Sequence, residues 1–301
     1  MALENFDVII VGGSYSGLSA AMALGRALTR VVVIDSGMPC NRQTPHSHNF
    51  LTRDGQTPKQ IATIARQQVQ EYETVTFFRG LAAAARKAGD SWEIELVSGE
   101  VFQAGRLVFA TGIWDILPSI EGLAECWGIS VIHCPYCHGY EVAGEKTGIL
   151  ANGEGGIEMA TLISNWTKDL TLYTNGPSTL TREQENKLAA RNINIIDKEI
   201  AWLDHTEGRL QHLAFKDGSR SPLTALYTRA PFVQHCMLPA ALGCELTEEG
   251  HIKVDAFQET TVSGIYACGD NASRIRTVAH AVSAGTMAGI AISRKMIFEN
   301  F

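Results

Sequence analysis

A short glycine-rich turn between two apolar runs constrains the fold of this chain most strongly. Residues 6–11 predict a buried strand, residues 12–17 a tight turn and residues 18–28 an alanine-rich helix. A second apolar run, residues 31–35, follows the helix and ends in an acid. Continuous apolar strands are typical of parallel sheets that are covered on both faces. This segment therefore predicts a β-α-β unit of an α/β protein.

The same order of elements recurs in the middle of the chain. A strand, a glycine turn, a helix and a second strand are predicted there at residues 148–151, 152–156, 157–166 and 170–173. The remaining segments predict helices at 58–72, 181–190 and 277–296, hairpins at 92–103 and 200–216, and a buried strand at 106–110. The two units together predict two Rossmann-like, three-layer nucleotide-binding domains.

Length and charge limit the classes of protein to which the chain can belong. A length of 301 residues predicts two domains. The net charge is −7 and the basic residues form no cluster, which argues against a nucleic-acid partner and against an anionic membrane surface. No apolar run approaches the ~18 residues of a membrane span, and the first apolar run follows Glu4 instead of a basic segment. We therefore predict a cytoplasmic protein without a signal peptide or a membrane segment.

The first glycine turn predicts a dinucleotide site. Gly12 and Gly17 hold the outer positions of a G-x-G-x-x-G pattern, and Ser14 stands at the usual middle glycine. Such a turn brings the backbone close to a pyrophosphate at the positive end of a helix. Asp35 follows Gly17 at close to the ~20-residue spacing expected of an acid that binds a ribose hydroxyl. The cofactor-binding candidates here are Gly12, Gly13, Ser14, Gly17 and Asp35; the alternative is a turn that only packs a helix on a strand.

The second unit lacks the residues that usually bind a nicotinamide nucleotide. Ala151 replaces the first glycine of the pattern, which leaves Gly153 and Gly156. The next strand is followed by Thr-Asn-Gly at 174–176, with neither an acid for a 2′-hydroxyl nor an arginine pair for a 2′-phosphate. The fold of a nicotinamide domain is therefore predicted, whereas binding of NADP(H) or NAD(H) stays open between a working and a vestigial domain.

Two of the seven cysteines, Cys134 and Cys137, form a C-x-x-C pair that His138 follows directly. Two thiols at this spacing can close an easily exchanged disulfide, and a neighbouring imidazole can accept or return a thiol proton. We predict redox chemistry with these three as catalytic residues and no metal site. The alternatives are c-type haem attachment, which normally accompanies export, a zinc site, for which no second Cys/His pair is visible, and two buried thiols at a helix start.

The other cysteines and several histidines show no such pattern. The cysteines that we expect to be buried small hydrophobes are Cys40, Cys126, Cys236, Cys244 and Cys268. His46 and His48 lie in a polar loop, and His280 interrupts the apolar run of the last helix. Taken one at a time, these histidines are interpreted as solvated or hydrogen-bonded structural residues.

The order of these parts resembles that of the low-molecular-weight thioredoxin reductases over nearly the whole chain. The shared features are the first glycine turn with its acid, the C-x-x-C pair, the second turn, and the pairs Thr111-Gly112 and Gly269-Asp270. The resemblance implies FAD as cofactor, a homodimer, and a thiol pair that carries electrons between flavin and substrate. It further implies that Cys137 faces the flavin and that Cys134 exchanges with the substrate.

The resemblance also implies how the chain is divided. It indicates an FAD-binding domain in two pieces, residues 1–116 and 236–301, and an inserted nicotinamide-type domain, residues 117–235, that carries the C-x-x-C pair. FAD would be held by residues that include Gly12, Gly17, Asp35 and Asp270. Further cofactor-binding candidates from the matching segments are Thr111, Gly112 and His280.

Three positions depart from the reductase pattern. His138 stands where the reductases usually have an aspartate proton donor, residues 174–176 stand where they have arginines for NADPH, and residues 278–280 replace an Arg-Gln-Ala run. The sequence C-x-x-C-H instead resembles the gliotoxin-type dithiol oxidases, which pass electrons from a small dithiol through FAD to oxygen. Other relatives that are independent of pyridine nucleotides take electrons from ferredoxin or carry a second flavin. The electron donor therefore stays open.

We predict an FAD-dependent thiol–disulfide oxidoreductase with weak or absent use of NADPH. Its partner would be a thioredoxin-like protein or a small-molecule dithiol or disulfide, with ferredoxin as an alternative donor and a second flavin as an alternative cofactor. One alternative function keeps the site and oxidises a dithiol with oxygen. Another is a flavin-binding redox sensor or binding module without turnover.

Overall fold

The computed structural model describes residues 4–301, which divide into two compact units. The segments of unit 1 are residues 4–42, 49–114 and 232–301, and those of unit 2 are residues 43–48 and 115–231. Unit 1 contains a mostly parallel sheet and unit 2 a parallel sheet, each with helices, so the predicted α/β class with one Rossmann-like unit inserted in another is confirmed.

Helices and strands alternate along most of the chain. Their order is β1 (Glu4–Val11), α1 (Tyr15–Arg26), β2 (Val31–Asp35), α2 (Pro58–Gln70), β3 (Val75–Arg79), β4 (Ala82–Ala88), β5 (Ser91–Leu96), β6 (Val101–Phe109), β7 (Ile113–Asp115), α3 (Leu123–Cys126), β8 (Val131–Ile132), α4 (Pro135–His138), β9 (Thr147–Leu150), α5 (Gly153–Ile163), β10 (Leu170–Tyr173), α6 (Arg182–Ala189), β11 (Asn194–Ile196), β12 (Ile200–Thr206), β13 (Arg209–Phe215), β14 (Arg220–Pro222), β15 (Ala225–Thr228), β16 (Phe232–Gln234), α7 (Leu238–Ala241), β17 (Ile265–Ala267) and α8 (Val278–Glu299). Within residues 4–301, no helix is both long and apolar enough to cross a membrane.

The sheet of unit 1 has the order β3-β2-β1-β6-β5-β4, and β17 also pairs with β6. β1, β2, β3, β6 and β17 run parallel, so their carboxyl ends meet at one edge of the sheet. Val8 and Ile10 are buried in a cluster with residues of α1 and α8, whereas Ile9 and Val11 are buried in a second cluster. Successive side chains of a strand point to opposite faces, so both faces of β1 are covered. This explains its continuous apolar run.

Several elements of unit 1 differ from the prediction, and β3, β16 and α7 are among those that are not predicted. The segments predicted as separate strands at 100–103 and 106–110 belong to the single strand β6, because this strand pairs with β1 along most of its length. β4 is not predicted, since its run of alanines, arginine and lysine favours a helix. Antiparallel pairing with β5, in which Ala85 lies opposite Ile94, makes it a strand. α1 begins at Tyr15, within the predicted turn.

α1 and α8 approach each other closely at two glycines of α8. A Cβ atom on Gly285 would lie 2.0 Å from the carbonyl oxygen of Ser16. A Cβ atom on Gly289 would lie 2.7 Å from the carbonyl oxygen of Ala20. Larger residues would push the helices apart, so these glycines fix the position of α1 against the last helix.

Unit 2 contains a five-stranded parallel sheet with the order β11-β10-β9-β15-β8. A separate antiparallel sheet, β12-β13-β14, contains the predicted hairpin at 200–216. α5 begins at Gly153 and not at residue 157, because the side chain of Asn152 accepts a hydrogen bond from the Gly153 N–H and caps the helix. The carboxyl ends of β8, β9, β10 and β15 meet at one edge of the parallel sheet.

Candidate functional site

The glycine turn between β1 and α1 lies at the carboxyl edge of the unit 1 sheet. Gly12 has a φ of +107°, and a Cβ atom there would lie 2.2 Å from the carbonyl oxygen of Ala110. A Cβ atom on Gly17 would lie 1.9 Å from the carbonyl oxygen of Gly12. Any side chain at either position would collide with the backbone. The turn therefore presents main-chain atoms at this edge of the sheet.

Asp35 and the start of α1 complete the turn. Asp35 ends β2, and its Oδ1 accepts a hydrogen bond of 3.2 Å from the Gly13 N–H. Ser14 is the N-cap residue of α1, but its side chain makes no capping hydrogen bond, and the first turn of α1 contains no acidic residue. The positive end of the helix dipole is therefore not neutralised by side chains of α1.

Thr111 and Gly112 follow β6 and lie beside the turn. A Cβ atom on Gly12 would be 3.2 Å from the backbone nitrogen of Thr111. Gly112 has a φ of +65°, and a Cβ atom there would meet no protein atom within 4 Å. The two candidates thus border open space next to the glycine turn.

Asp270 follows β17 at the same edge of the sheet. A Cβ atom on the preceding Gly269 would lie 2.6 Å from Oγ of Ser16. The following Asn271 donates a hydrogen bond of 2.8 Å from its Nδ2 to the last carbonyl of β6. The Asp270 carboxylate lies 3.6 Å from Nε of Arg276. These contacts place Asp270 close to the start of α1.

His280 lies in the first turn of α8. Its backbone N–H donates a hydrogen bond of 3.1 Å to Oγ1 of Thr277, the N-cap residue. The side chain is half-buried. The structure therefore gives His280 a place at the start of a helix, while its role as a cofactor-binding residue stays a prediction.

The residues of unit 1 fit a dinucleotide cofactor. A bound pyrophosphate requires close approach to the backbone at the positive end of a helix. The turn at 12–17 offers that approach, since a side chain is excluded at Gly12 and at Gly17. Asp35 stands at the end of β2, where an acid binds a ribose hydroxyl in this fold.

The C-x-x-C pair lies directly after β8, at the carboxyl edge of the unit 2 sheet. Cys134 is the N-cap residue of α4, and Pro135 stands in its first turn. The N–H groups of Cys137 and His138 each donate a hydrogen bond of 3.3 Å to the Cys134 carbonyl. Both cysteines are half-buried. A proline-started turn therefore holds two accessible sulfur atoms next to an imidazole.

A second imidazole and a carboxylate adjoin His138. The rings of His48 and His138 meet edge to face with their centroids 6.1 Å apart. Nε2 of His48 lies 3.3 Å from Oε1 of Glu141. Burial lowers the pKa of His138, and the charge of His48 lowers it further, while Glu141 opposes both. A lowered pKa keeps His138 neutral at pH 7, so its ring can accept a thiol proton.

His48 is a neighbour of the thiol pair that the sequence analysis misses. It lies in the segment 43–48, which belongs to unit 2 although the residues on either side belong to unit 1. Gly128 of unit 2 approaches this segment, since a Cβ atom there would lie 3.0 Å from Oγ1 of Thr44. No motif spacing links His48 to His138, and the only signal in the sequence is a pair of histidines in one polar loop.

Tyr227 of β15 is a second missed neighbour. Its side chain is only 1% exposed, and its hydroxyl finds no hydrogen-bond partner in the described part of the chain. Burial raises the pKa of the phenol, and the charges of Cys134, Glu141 and Cys137 raise it further. The hydroxyl therefore keeps its proton close to the thiol pair.

The turn between β9 and α5 is hydrogen-bonded to side chains of unit 2. Oδ1 of Asn152 accepts hydrogen bonds from the Gly153 N–H at 2.9 Å and from the Thr179 N–H and hydroxyl at 2.9 and 3.1 Å. Glu154 places a carboxylate in the first turn of α5, and Nε2 of Gln184 donates to it at 2.6 Å. The positive end of α5 is thus capped and already bears a negative charge, which opposes a phosphate.

The residues of the turn after β10 also make their hydrogen bonds within unit 2. The Thr174 hydroxyl donates a hydrogen bond of 2.7 Å to the carbonyl of Gly176. Oδ1 of Asn175 accepts one of 2.7 Å from the N–H of Ile200. None of these turn residues is basic, so the turn itself offers no cation to a 2′-phosphate.

The remaining cysteines follow the expectation in part. Cys126, Cys244 and Cys268 are buried, and burial raises the pKa of Cys126 to about 11, which makes its thiol unreactive at neutral pH. Cys236 is half-buried, and the expectation is wrong for Cys40, which is exposed. Among the residues with described positions, no group of three or more His, Cys, Asp or Glu could hold a metal ion.

Comparisons with known proteins extend over both units. The family model described as pyridine nucleotide-disulphide oxidoreductase matches residues 6–285. Thioredoxin reductase tcpT of Claviceps purpurea is 33% identical over 304 residues, which cover 97% of this chain and 95% of that protein. Thioredoxin reductase aclD of Aspergillus oryzae is 31% identical over 314 residues, which cover 99% of each. The crystal structure of an oxidoreductase from Agrobacterium tumefaciens superposes with a TM-score of 0.91, at 38% identity, over 98% of this chain and 99% of that one.

The match to this family agrees with the geometry described at the carboxyl edge of each unit's parallel strands. The family model covers the glycine turn of unit 1, the C-x-x-C pair and the second turn, and the relatives align over almost their entire length. The predicted resemblance is therefore confirmed. The chain belongs to the pyridine nucleotide-disulphide oxidoreductase family and is a thioredoxin reductase-like disulfide oxidoreductase of the FAD-dependent class.

Proposed function

We propose that this protein moves electrons between FAD, the Cys134–Cys137 pair and a dithiol or disulfide substrate, with weak or absent use of NADPH. The observation that carries the proposal is the position of both thiols at the start of α4, next to a neutral His138 that contacts His48. Thiol–disulfide exchange needs a thiolate and a base that takes its proton. The side chains of unit 2 supply both.

FAD binding is assigned to unit 1. The turn at 12–17 would receive the pyrophosphate and Asp35 the adenosine ribose, and the same edge carries the remaining cofactor candidates Thr111, Gly112, Asp270 and His280. FAD, when bound, supplies a carrier of two electrons. The proposed domains keep the predicted boundaries, with residues 1–116 and 236–301 for FAD and residues 117–235 for the nicotinamide-type domain.

The exchange step is assigned to Cys134 in the direction of substrate oxidation. A substrate thiolate attacks the Cys134 sulfur of the closed disulfide, the S–S bond breaks, and Cys137 leaves as a thiolate. The second thiolate of the substrate then attacks the substrate sulfur that is bonded to Cys134. The mixed disulfide breaks, the substrate disulfide forms, and Cys134 is released. The substrate thus loses two electrons to the pair, and its two protons pass to His138 and to the Cys134 thiol.

Weak use of NADPH is supported by the two turns of unit 2. A pyrophosphate would bind at the start of α5. There Asn152 already accepts a hydrogen bond from the Gly153 N–H, and Glu154 already places a negative charge. The residues after β10 bond to one another and to Ile200. A nucleotide would have to break these hydrogen bonds and approach a carboxylate, which lowers its affinity.

A dithiol oxidase that passes electrons to oxygen is the second candidate. It is favoured by the two imidazoles beside the thiol pair, since a neutral His138 is suited to accept protons from a dithiol substrate. The self-capped α5 favours it as well, because electrons would then enter from the substrate and not from a nucleotide. A flavin redox sensor without turnover is the third.

The proposed partner class is supported by two relatives that are named thioredoxin reductases. We assign a thioredoxin-like protein or a small-molecule dithiol or disulfide as the substrate, with ferredoxin and a second flavin as alternatives for the donor. A homodimer and a cytoplasmic location complete the proposal.

Anaerobic mixing experiments test it. The purified holoprotein is mixed in turn with NADPH, NADH and a small dithiol, and the loss of visible flavin absorbance is followed. We expect rapid bleaching by the dithiol and slow or no bleaching by the nucleotides. Cys134→Ser should abolish the response to the dithiol, whereas Cys40→Ser, a matched control at an exposed cysteine outside the pair, should keep it.

Each outcome selects one function. Tight binding of NADPH with fast reduction of the flavin would contradict the proposed weak use of nucleotides and favour an NADPH-dependent reductase. Peroxide formation with a dithiol in air supports the oxidase. Lack of turnover with every donor and acceptor pair leaves the sensor.

A further inference from the structure

Asp270 forms an ion pair at the carboxyl edge of the unit 1 sheet. Its Oδ2 atom lies 3.6 Å from Nε of Arg276, which stands in the loop before α8. Each of the two side chains is only 19% exposed. Water and ions screen such a pair less than a pair on the open surface, so the attraction between the two charges can hold both side chains in place.

The neighbouring Arg274 makes an ion pair of a different kind. Its Nη1 lies 3.3 Å from Oε1 of Glu249, and the two side chains are 77% and 50% exposed. Pairs as exposed as this one contribute little, because solvent competes for both charges. The same loop thus carries one arginine at the surface and one against Asp270, which makes Arg274 a matched control for Arg276.

The position of Arg276 is not explained by the helix that follows it. Thr277 is the N-cap residue of α8, so Arg276 directly precedes the positive end of a helix whose first turn contains no acidic residue. A cation is unfavourable at that end of a helix. The carboxylate of Asp270 supplies the favourable interaction that the helix does not.

The topology of the sheet places Asp270 on one side of the glycine turn and Asp35 on the other. β2, which ends at Asp35, pairs with one edge of β1. β6 pairs with the other edge, and β17, which precedes Asp270, pairs with β6. If the turn receives the pyrophosphate and Asp35 the adenosine ribose, the flavin half of FAD extends on the side of Asp270. A carboxylate there can accept a hydrogen bond from a hydroxyl of the ribityl chain.

We propose that Arg276 is a positioning residue for FAD, because its guanidinium holds the Asp270 carboxylate in the orientation that receives the ribityl chain. The inference rests on the proposed function, since it takes this edge of unit 1 as the FAD site and Asp270 as a cofactor-binding residue. Arg276 acts through Asp270, so its removal weakens binding no more than removal of the carboxylate itself. The adenosine half of FAD lies on the side of Asp35 and does not depend on Arg276.

Arg276→Gln removes the positive charge, and its effect is measured with two ligands on the full-length protein. The dissociation constant of FAD is obtained by equilibrium titration of the flavin fluorescence. That of ADP, which has the adenosine and the pyrophosphate but no flavin half, is obtained from its competition with FAD. We expect the constant for FAD to rise about ten- to a hundredfold, because a hydrogen bond to a charged group is lost. The constant for ADP should not change.

Arg276→Lys and Arg274→Gln are the controls. Arg276→Lys keeps a cation beside the carboxylate and should restore most of the affinity for FAD. Arg274→Gln removes the exposed arginine of the same loop and should leave both constants unchanged. An unchanged constant for FAD in Arg276→Gln would overturn the inference. An equal loss of FAD and ADP would overturn it too, because Arg276 would then act on the pyrophosphate or on the stability of the whole edge.

The double variant Asp270→Ala/Arg276→Gln covers the case in which Arg276→Gln does not fold, since it removes both charges together. Its constant for FAD should equal that of Asp270→Ala, because a positioning residue has no effect once the group that it positions is gone. A further loss in the double variant contradicts the inference. If the unchanged protein binds no FAD, the proposed function fails; if it binds FAD and the two losses add, only the role of Arg276 fails.

Discussion

Removal of the His48 imidazole should raise the pH at which the thiol pair becomes active. His48 is one of the groups that lower the pKa of His138, and Glu141 opposes it. In His48→Gln the lowering charge is gone and Glu141 loses its imidazole partner, so both changes raise the pKa of His138. His138 must be neutral to accept a proton, so the rate should fall as the pH drops through a higher midpoint than in the unchanged protein.

The distance between the rings sets the magnitude. For unit charges at the observed centroid separation of 6.1 Å, the repulsion is about 0.7 kcal/mol in a water-like medium and about 2.7 kcal/mol at an effective dielectric constant of about 20. At 1.36 kcal/mol per pKa unit, this range corresponds to an upward shift of roughly 0.5 to 2 units. The half-buried site lies between these two limits.

The assay is the single-turnover reduction of the Cys134–Cys137 disulfide by a small dithiol as a function of pH. The unchanged protein should show a midpoint below the ordinary histidine value of 6.5, and His48→Gln should move it upward. His46→Gln is the control, because His46 is exposed in the same loop and its ring lies beside His48. A midpoint that stays in place or falls in His48→Gln would refute the reasoning.

Three further predictions concern the cofactor, the thiols and the nucleotide. The flavin released from the protein should be FAD by chromatography. Gly12→Ala should lose the flavin, because the new Cβ atom would overlap the Ala110 carbonyl. Gly37→Ala is the control and should keep it, because Gly37 also has a positive φ but faces open space. Cys134→Ser should show a long-wavelength flavin–thiolate absorbance band and Cys137→Ser should lack it, since Cys137 is assigned to the flavin; the reverse pattern would exchange their roles. Steady-state kinetics should give Michaelis constants for NADPH and NADH within about tenfold of each other, because a charge-assisted contact of ~1.5–3 kcal/mol is missing, and a strong preference for NADPH would contradict this.

The sequence predicts those elements of the fold whose signals are local. The first β-α-β unit is predicted because an apolar run, a glycine pattern and a terminal Asp35 are read within a few dozen residues. β4 is not, because its alanines and basic residues become a strand only through pairing with β5. The start of α5 is missed because Asn152 caps it in cooperation with Thr179, which lies one helix and one strand later.

The same distinction holds for the candidate site. Cys134, Cys137 and His138 are adjacent in sequence, and their pattern predicts the thiol chemistry. His48 and Tyr227 reach the same edge only through the fold, from a loop inserted in the other unit's sequence and from a later strand. Neither carries a motif, so tertiary structure is required to find them.

The close packing of α8 on α1 has a consequence for the order of events during synthesis. Gly285 and Gly289, which approach α1, leave the ribosome only after all of unit 2 has emerged. Unit 2 has its sheet complete once β15 is made, and its early segment 43–48 is already present. The inserted unit can therefore fold first, while the apolar faces of β1 and α1 wait for their last helix. The cofactor edge of unit 1 is completed equally late, because β17 joins its sheet from beyond unit 2 in the sequence.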